Sequence, residues 1–305
     1  MGLNRDPGSV HGNSMKTRTG SFPIGFRIGW TDWYKNFAEC VAWAKENQFE
    51  HIDINAYTPE TSNQLQAAGL RIGTVDLLEF GKLSSTDDGF RKALIEKNVD
   101  YIKTTAAAGA KLFFTVIPGE AGKPRAENYA RAVETFAPLA EAADQAGATI
   151  VIEGYPGGGP HYSLLCCTPE SCRAILRDCG PGMGLNFDPS HLIRLGVDPI
   201  RFLNEFVPYI HHVHGKDTEL FAEAQYEFGL YQDSVFQKPH GFGQNIWRYT
   251  IPGHGQFAWS TAFKILKEAE YDGGISIELE DEHFNGSEQG EKSGLLASLN
   301  FLQNA

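Results

Sequence analysis

Eight short runs rich in β-branched and aromatic residues, each followed by a helix-like or loop stretch, constrain this chain more than any other feature. They are "FRIGW" (Phe26–Trp30), "EHIDINA" (Glu50–Ala56), "RIGTVDLL" (Arg71–Leu78) and "KLFFTVI" (Lys111–Ile117). "TIVIEGY" (Thr149–Tyr155), "GMGLNFD" (Gly182–Asp188), "YIHHVHGKD" (Tyr209–Asp217) and "GGISIELED" (Gly273–Asp281) complete the set. Stretches such as "NFAECVAWAKENQ" and "ENYARAVETFAPLAEAADQAG" carry helical periodicity between them. Eight strand–helix repeats predict an α/β fold, a single-domain (β/α)8 TIM barrel over 22–305. An open doubly wound sheet is the alternative, but no G-x-G-x-x-G follows the first strand.

Two segments depart from the repeat. Residues 1–21 are polar and rich in Gly and Ser, and read as a flexible lead-in, partly a cloning remnant, with Met15 as a candidate natural start. The stretch at about 218–255 is long for a connection inside a compact domain, and such loops are usually lids, binding loops or disorder. Its aromatics, among them Phe221, Tyr226, Phe242 and Trp247, favour a lid or an oligomer contact over disorder.

Composition narrows the partners. A formal net charge of -12 fits poorly with phosphate-backbone binding, which needs clustered Lys and Arg. No apolar run is long enough to span a membrane. The expectation is a cytoplasmic protein acting on a small molecule, with no nucleic acid and no membrane partner; a homo-oligomer stays open. The five cysteines read as buried thiols of a reducing compartment, ahead of a zinc site using Cys167 and Cys172.

Barrel enzymes carry their chemistry at the C-terminal ends of the strands. The fifth run holds Glu153 there, the sixth Asp188, the seventh His212 and His214, and the eighth Glu278. Singly, each has an ordinary reading: Asp188 before Pro189 as a turn or helix cap, Glu153 as a solvated acid, His214 as a structural histidine. Together, on four successive strands, three carboxylates and an imidazole suit one hard or borderline divalent ion. Mn²⁺ comes first, Mg²⁺ or Co²⁺ next, and Zn²⁺ after them. Trp30 and Tyr155, near strand ends, can stack on a sugar face or pack in the core.

The chain resembles the xylose-isomerase-like barrels of the sugar phosphate isomerase/epimerase superfamily, which include ketose 3-epimerases, hydroxypyruvate isomerase, inosose dehydratase and, more distantly, endonuclease IV. The motifs that carry the resemblance are "VIEGYP", "LNFDPSHL", "HHVHGKD", "PGHGQFAW" and "YDGGISIELED", and it extends from about Phe22 to Phe301. It implies that Glu153, Asp188, His214 and Glu278 bind one divalent metal. It also implies that His191 reaches the substrate or the metal's surroundings, and that Lys216, in the H-x-K-D pattern, touches substrate. His254 stands where many members carry an acid in P-G-x-G, and is grouped with the substrate-binding residues. The acid and arginine that follow the metal histidine in ketose 3-epimerases are absent here.

The implied reaction is proton abstraction next to a metal-bound carbonyl through an enediolate, with Glu153 and Glu278 as acid and base. An isomerase or epimerase is the first expectation. A lyase acting on a keto-sugar, inosose or keto-glycoside with the same metal site is the alternative, and a non-catalytic sugar-binding protein a distant one. Glu280, Asp281, Glu282 and Glu288 after the last strand make a field that repels phosphate, so a non-phosphorylated sugar or cyclitol is expected.

Overall fold

A computed structural model describes residues 15–158 and 163–305. Eight parallel strands close into a barrel in the order β1 (Ile24–Arg27), β2 (His51–Ile54), β3 (Arg71–Asp76), β4 (Leu112–Val116), β5 (Thr149–Glu153), β6 (Met183–Phe187), β7 (Ile210–Gly215) and β10 (Ile275–Ile277). Closure comes where β1 meets β10, with Ile24 opposite Ile275 and Phe26 opposite Ile277. Most barrel strands are buried on both faces, which is why they read as apolar runs and not as alternation. The observed strands are shorter than the sequence runs, and the surplus residues form the loops at the barrel mouth.

The helices outside the barrel begin on residues suited to it. Thr58 and Thr61 form a capping box for Pro59–Ala68, and Asp87 accepts from Phe90 N at the head of Asp88–Ala107. Among the described residues no helix is long and apolar enough to cross a membrane.

Both departures from the repeat are resolved in part. Residues 1–14 lie outside the described residues, and with them most of the segment expected to be flexible. Met15–Ser21 is instead held on the barrel: Thr17 N donates to Phe22 O at 3.0 Å, Ile24 N to Met15 O at 3.2 Å and Arg18 N to Gln303 O at 3.1 Å. The 218–255 stretch is not an irregular loop. The chain breaks from β7 at Lys216 and resumes at once as β8 (Asp217–Leu220), which pairs antiparallel with β9 (Trp247–Thr250). A short helix, Ala222–Phe228, lies between them.

Two buried carboxylates anchor this excursion. Asp217 accepts from Thr218 N at 2.8 Å, Phe257 N at 3.0 Å, Trp259 Nε1 at 3.1 Å and Gly253 N at 3.4 Å. Asp281 accepts from Thr250 Oγ1 at 2.6 Å and Ile251 N at 3.2 Å. The "PGHGQFAW" motif therefore wraps the Asp217 carboxylate. A Cβ at Gly255 would lie 2.1 Å from Asp217 Oδ1, so only glycine fits that wrap.

All five cysteines are free and buried. Cys172 Sγ lies 3.2 Å from Cys166 Sγ, and no cysteine joins a metal-ligating group among the described residues.

Candidate metal centre

Glu153 closes β5, His214 lies within β7, and Asp188 and Glu278 each follow the last residue of their strands, β6 and β10. Ligand atoms of these four lie within 4.8 Å of one another. Asp188 shows how one residue serves two ends. Its Oδ1 caps the helix Pro189–Arg194, accepting from Ser190 N at 2.9 Å and Ser190 Oγ at 2.6 Å. Its Oδ2 remains for the centre, so the cap reading and the ligand reading are both satisfied.

The remaining contacts are close but poorly made. His214 Nδ1 is 2.6 Å from Glu153 Oε1 and 3.3 Å from Glu278 Oε2. His191 Nε2 lies 3.4 Å from Glu153 Oε2 and 3.3 Å from Asp188 Oδ2. Even so, Asp188 Oδ2, His191 Nε2 and His214 Nδ1 are buried atoms without an aligned hydrogen bond. Buried polar atoms left this way are costly unless something else satisfies them. A divalent cation among the three carboxylates and His214 would satisfy Asp188 Oδ2 and His214 Nδ1 together, so the donor set fits a hard or borderline metal.

The buried charges of the centre balance one another. Burial pushes the Glu153 carboxyl up, but His214 and His191 hold it well below the ordinary carboxylate range. Burial also opposes ionisation of Glu278, yet Lys216 and His214 bring it down to about 2. Desolvation works against a charged His214, and the Glu278 and Glu153 carboxylates override it, raising its pKa well above the usual value.

Lys216, fully buried, sits at the crossing point. Its Nζ is 2.5 Å from Glu278 Oε2 and 3.1 Å from both Glu280 Oε2 and Asp188 Oδ2. It also lies 4.6 Å from the centre of the Tyr249 ring.

Polar groups beneath the centre hold it in place. Asp53 of β2 accepts from His212 Nε2 at 2.9 Å and from Thr74 N at 2.9 Å, and its Oδ2 is 3.5 Å from His214 Nε2. A Cβ at position 73 would fall 1.9 Å from Asp53 Oδ1, so Gly73 makes room for this carboxylate inside the barrel. His214 stacks on Phe114 with ring centroids 5.5 Å apart, and the Arg27 guanidinium lies 4.3 Å from the centre of the Phe114 ring. Arg27 is held by a two-pronged contact to Asp76, both bonds 2.8 Å, and its Nε is 3.5 Å from Glu278 Oε1.

A cavity of about 420 Å³ opens onto the centre. Of the four donors, Glu153 and Glu278 line it, and Asp188 and His214 do not. Lys216, Tyr155 and Trp30 also line it. Trp30 stands exposed, its ring 6.0 Å from that of Phe242 on the excursion. His191 is brought to the centre, whereas His254 is not. His254 is exposed, outside the cavity lining, and its ring is 6.4 Å from that of Phe284. Its motif serves the Asp217 clamp, which corrects the substrate-contact expectation.

The acidic field after the last strand is also smaller than expected. Glu280 lines the cavity, but Asp281 is turned into its clamp and Glu282 binds His240 and Gly241 N. Glu288 pairs with Lys292 on the surface. Tyr249, Arg27, Asp76 and Asp53 escaped the sequence reading. Their partners lie far away along the chain, and only the in-strand position of Asp53 and Asp76 hinted at a polar interior.

Comparisons with known proteins bear on the fold and the family. A family model described as "Xylose isomerase-like TIM barrel" matches residues 32–305. An uncharacterised Bacillus subtilis protein, YfiH, is 36% identical over 121 residues, covering 39% of this chain and 38% of that protein. An inosose dehydratase of Clostridium botulinum is 34% identical over 100 residues, 32% of this chain and 30% of the relative. The matched stretches thus span less than half the length of these curated relatives. A crystal structure of 3-keto-D-glucoside 4-epimerase from E. coli superposes with a TM-score of 0.67 at 14% identity, covering 92% of this chain and 99% of that one, a likeness of fold alone. With the barrel closed as described and the family model matched from residue 32 to the last residue, this chain belongs to the xylose isomerase-like TIM barrel family.

Proposed function

We propose that the protein is a divalent-metal-dependent sugar isomerase or epimerase that moves a proton next to a substrate carbonyl, on a non-phosphorylated sugar or cyclitol. The observation that carries this reading is the double role of Glu153 and Glu278, which belong to the four-donor group and also line the cavity. Glu153, Asp188, His214 and Glu278 would hold the ion, with Mn²⁺ the first choice. When bound, the ion supplies Lewis acidity that stabilises negative charge on a substrate oxygen.

The chain's own residues do the rest. Both glutamates are held ionised at neutral pH, the form that accepts a proton. One takes the proton from the carbon beside the carbonyl and, now a carboxylic acid, can return it to the neighbouring carbon; delivery to the opposite face falls to the other glutamate, which must first take a proton from solvent. Lys216 presents an ammonium to a substrate oxygen, and Trp30 and Tyr155 offer apolar faces for a sugar ring. Among ionisable lining residues, Glu153, Glu278, Glu280 and Glu291 outweigh Arg27 and Lys216, whose charges are already engaged. That balance supports a substrate without phosphate.

A lyase is the second reading. Lys216 beside Glu280 in the cavity would give its proton to a leaving hydroxyl, and the inosose dehydratase stretch supports the same reading. The test is a panel of ketoses, inososes and 3-keto-glycosides with the Mn²⁺-loaded protein in deuterated water. Deuterium should enter beside the carbonyl of the true substrate, and Glu153→Gln should abolish it. Undiminished exchange in that variant refutes the assignment, and loss of water from the product separates lyase from epimerase.

A further inference from the structure

The cavity has two unlike sides. Glu153, Glu278, Glu280, Lys216 and Arg27 line it at the metal centre. The other side, over β4 and the turns that follow β3 and β5, is apolar and is lined by Phe80, Phe114, Val116, Pro118 and Leu164. Phe114, Val116 and Val151 form a small buried cluster apart from the main core, with Phe80, Tyr155 and Leu164 packed against it. Strand register sets where this wall begins. Val116 of β4 pairs with Glu153 of β5, and the Phe114 ring stacks on His214. The wall then runs outward to Phe80, whose ring meets Phe114 edge-on at 6.1 Å.

A hydroxyl finds no side-chain partner on these five residues, and the carbonyls beside them are already accepting. Phe114 O accepts from Leu77 N at 2.9 Å, Val116 O from Thr115 Oγ1 at 2.8 Å and Ile117 O from Leu165 N at 3.0 Å. Pro118 O accepts from Ser84 Oγ, and Leu164 O from Arg125 Nη1 at 3.3 Å. A hydroxyl pressed onto this wall would lose its water and gain nothing in return, which is unfavourable. An apolar group placed there gains burial instead. Phe80, Pro118 and Leu164 are only half-buried, so they keep surface for such a group to cover. The volume of about 420 Å³ lies within the range of about 300–1,000 Å³ usual for ligand sites, and it leaves room beyond one sugar ring.

We propose that this wall is a subsite for an apolar substituent, so that the substrate is a sugar or cyclitol carrying an aryl or alkyl group and not the free sugar. The inference rests on the metal-centre reading above and names its substrate class: the ring lies at the carboxylates, and the substituent lies along β4 toward Phe80 and Leu164.

The test compares 3-keto-glucose with its methyl and phenyl glycosides on the full chain. Calorimetry in EDTA measures binding without metal or turnover, and ¹³C-methyl spectra of Val116 and Leu164 report on the wall. The phenyl glycoside should bind about ten- to a hundredfold tighter than the methyl glycoside, the scale of burying one phenyl ring. It should shift both sets of methyl signals, and the methyl glycoside should not. Leu164→Asn should shrink that ratio severalfold, and Phe80→Ser, at a second half-buried position, should do the same should Leu164→Asn fail to fold. Equal affinities for the two glycosides, or a phenyl glycoside that leaves the Val116 and Leu164 methyls unmoved, overturns the proposal. Exchange in deuterated water with Mn²⁺ separates this inference from the reading it rests on. A phenyl glycoside that binds on the wall while no sugar exchanges defeats the isomerase reading and leaves the subsite standing. Exchange as fast on free 3-keto-glucose as on its phenyl glycoside defeats the subsite alone.

Discussion

Lys216→Met tests the electrostatics of the centre without any knowledge of the substrate. Methionine keeps much of the stem and removes the charge. The ammonium faces Glu278 at 2.5 Å and Asp188 and Glu280 at 3.1 Å, with the Lys216 and Asp188 side chains closed off from solvent. Each such contact is worth about 5 kcal/mol of attraction at an effective dielectric of about 20, much of it offset by the cost of desolvating the ammonium. Removing one partner of a buried pair costs about 3–5 kcal/mol, because the remaining charges are left uncompensated. Glu278 and Glu280 keep 17% and 22% of their side-chain surface open, so the lower figure applies here.

For a chain of this size about 3 kcal/mol corresponds to a loss of roughly 6 °C in Tm. The assay is thermal unfolding at a fixed scan rate, first with EDTA and then with Mn²⁺. An ion at about a hundred times its Kd adds about 2.7 kcal/mol to any folded protein that binds it. In Lys216→Met it should add more, because a competing cation has left two of the donors, Asp188 Oδ2 and Glu278 Oε2. The variant should therefore be clearly weaker in EDTA and regain most of the difference in Mn²⁺. Equal stability of the two proteins in EDTA, or a deficit that Mn²⁺ leaves unchanged, refutes the reasoning.

Two further outcomes follow from the same geometry. The Glu278 pKa falls on folding from 4.5 to about 2, so the stability this group carries is complete above pH 4.5 and lost as the pH drops toward 2; Glu278→Gln should flatten the metal-free stability curve across that window, and an unchanged curve in urea titrations counts against the ion pairs described. Asp53→Asn removes the carboxylate that lies between His212 and His214, and should weaken metal binding about 10–100-fold, as measured by chelator competition. Unaltered affinity in a variant with native circular dichroism would show that Asp53 is dispensable for orienting His214.

How much of this was legible in the chain depended on where each partner lay. Glu153, Asp188, His214 and Glu278 could be picked out because each depends on a local rule: a short apolar run, then an ionisable residue at its C-terminal end. The barrel then brings four such ends together whatever their spacing, so the donor group followed once the strands had been counted. Tyr249 obeys no such rule. It sits mid-strand in a stretch that looked like an aromatic loop, 58 positions from His191, and nothing local marks the hairpin because a single residue, Lys216, separates β8 from β7. Asp53 is similar: its partner His212 is 159 positions away, and its place in the barrel depends on a missing side chain at Gly73. His254 failed for the opposite reason. Its motif was visible, but a P-G-x-G turn is recognisable by its glycines, and here the glycines serve the buried Asp217 while the histidine between them faces solvent. A local pattern thus marked the four candidate donors, whereas the groups packed around them depend on closure of the barrel and docking of the excursion.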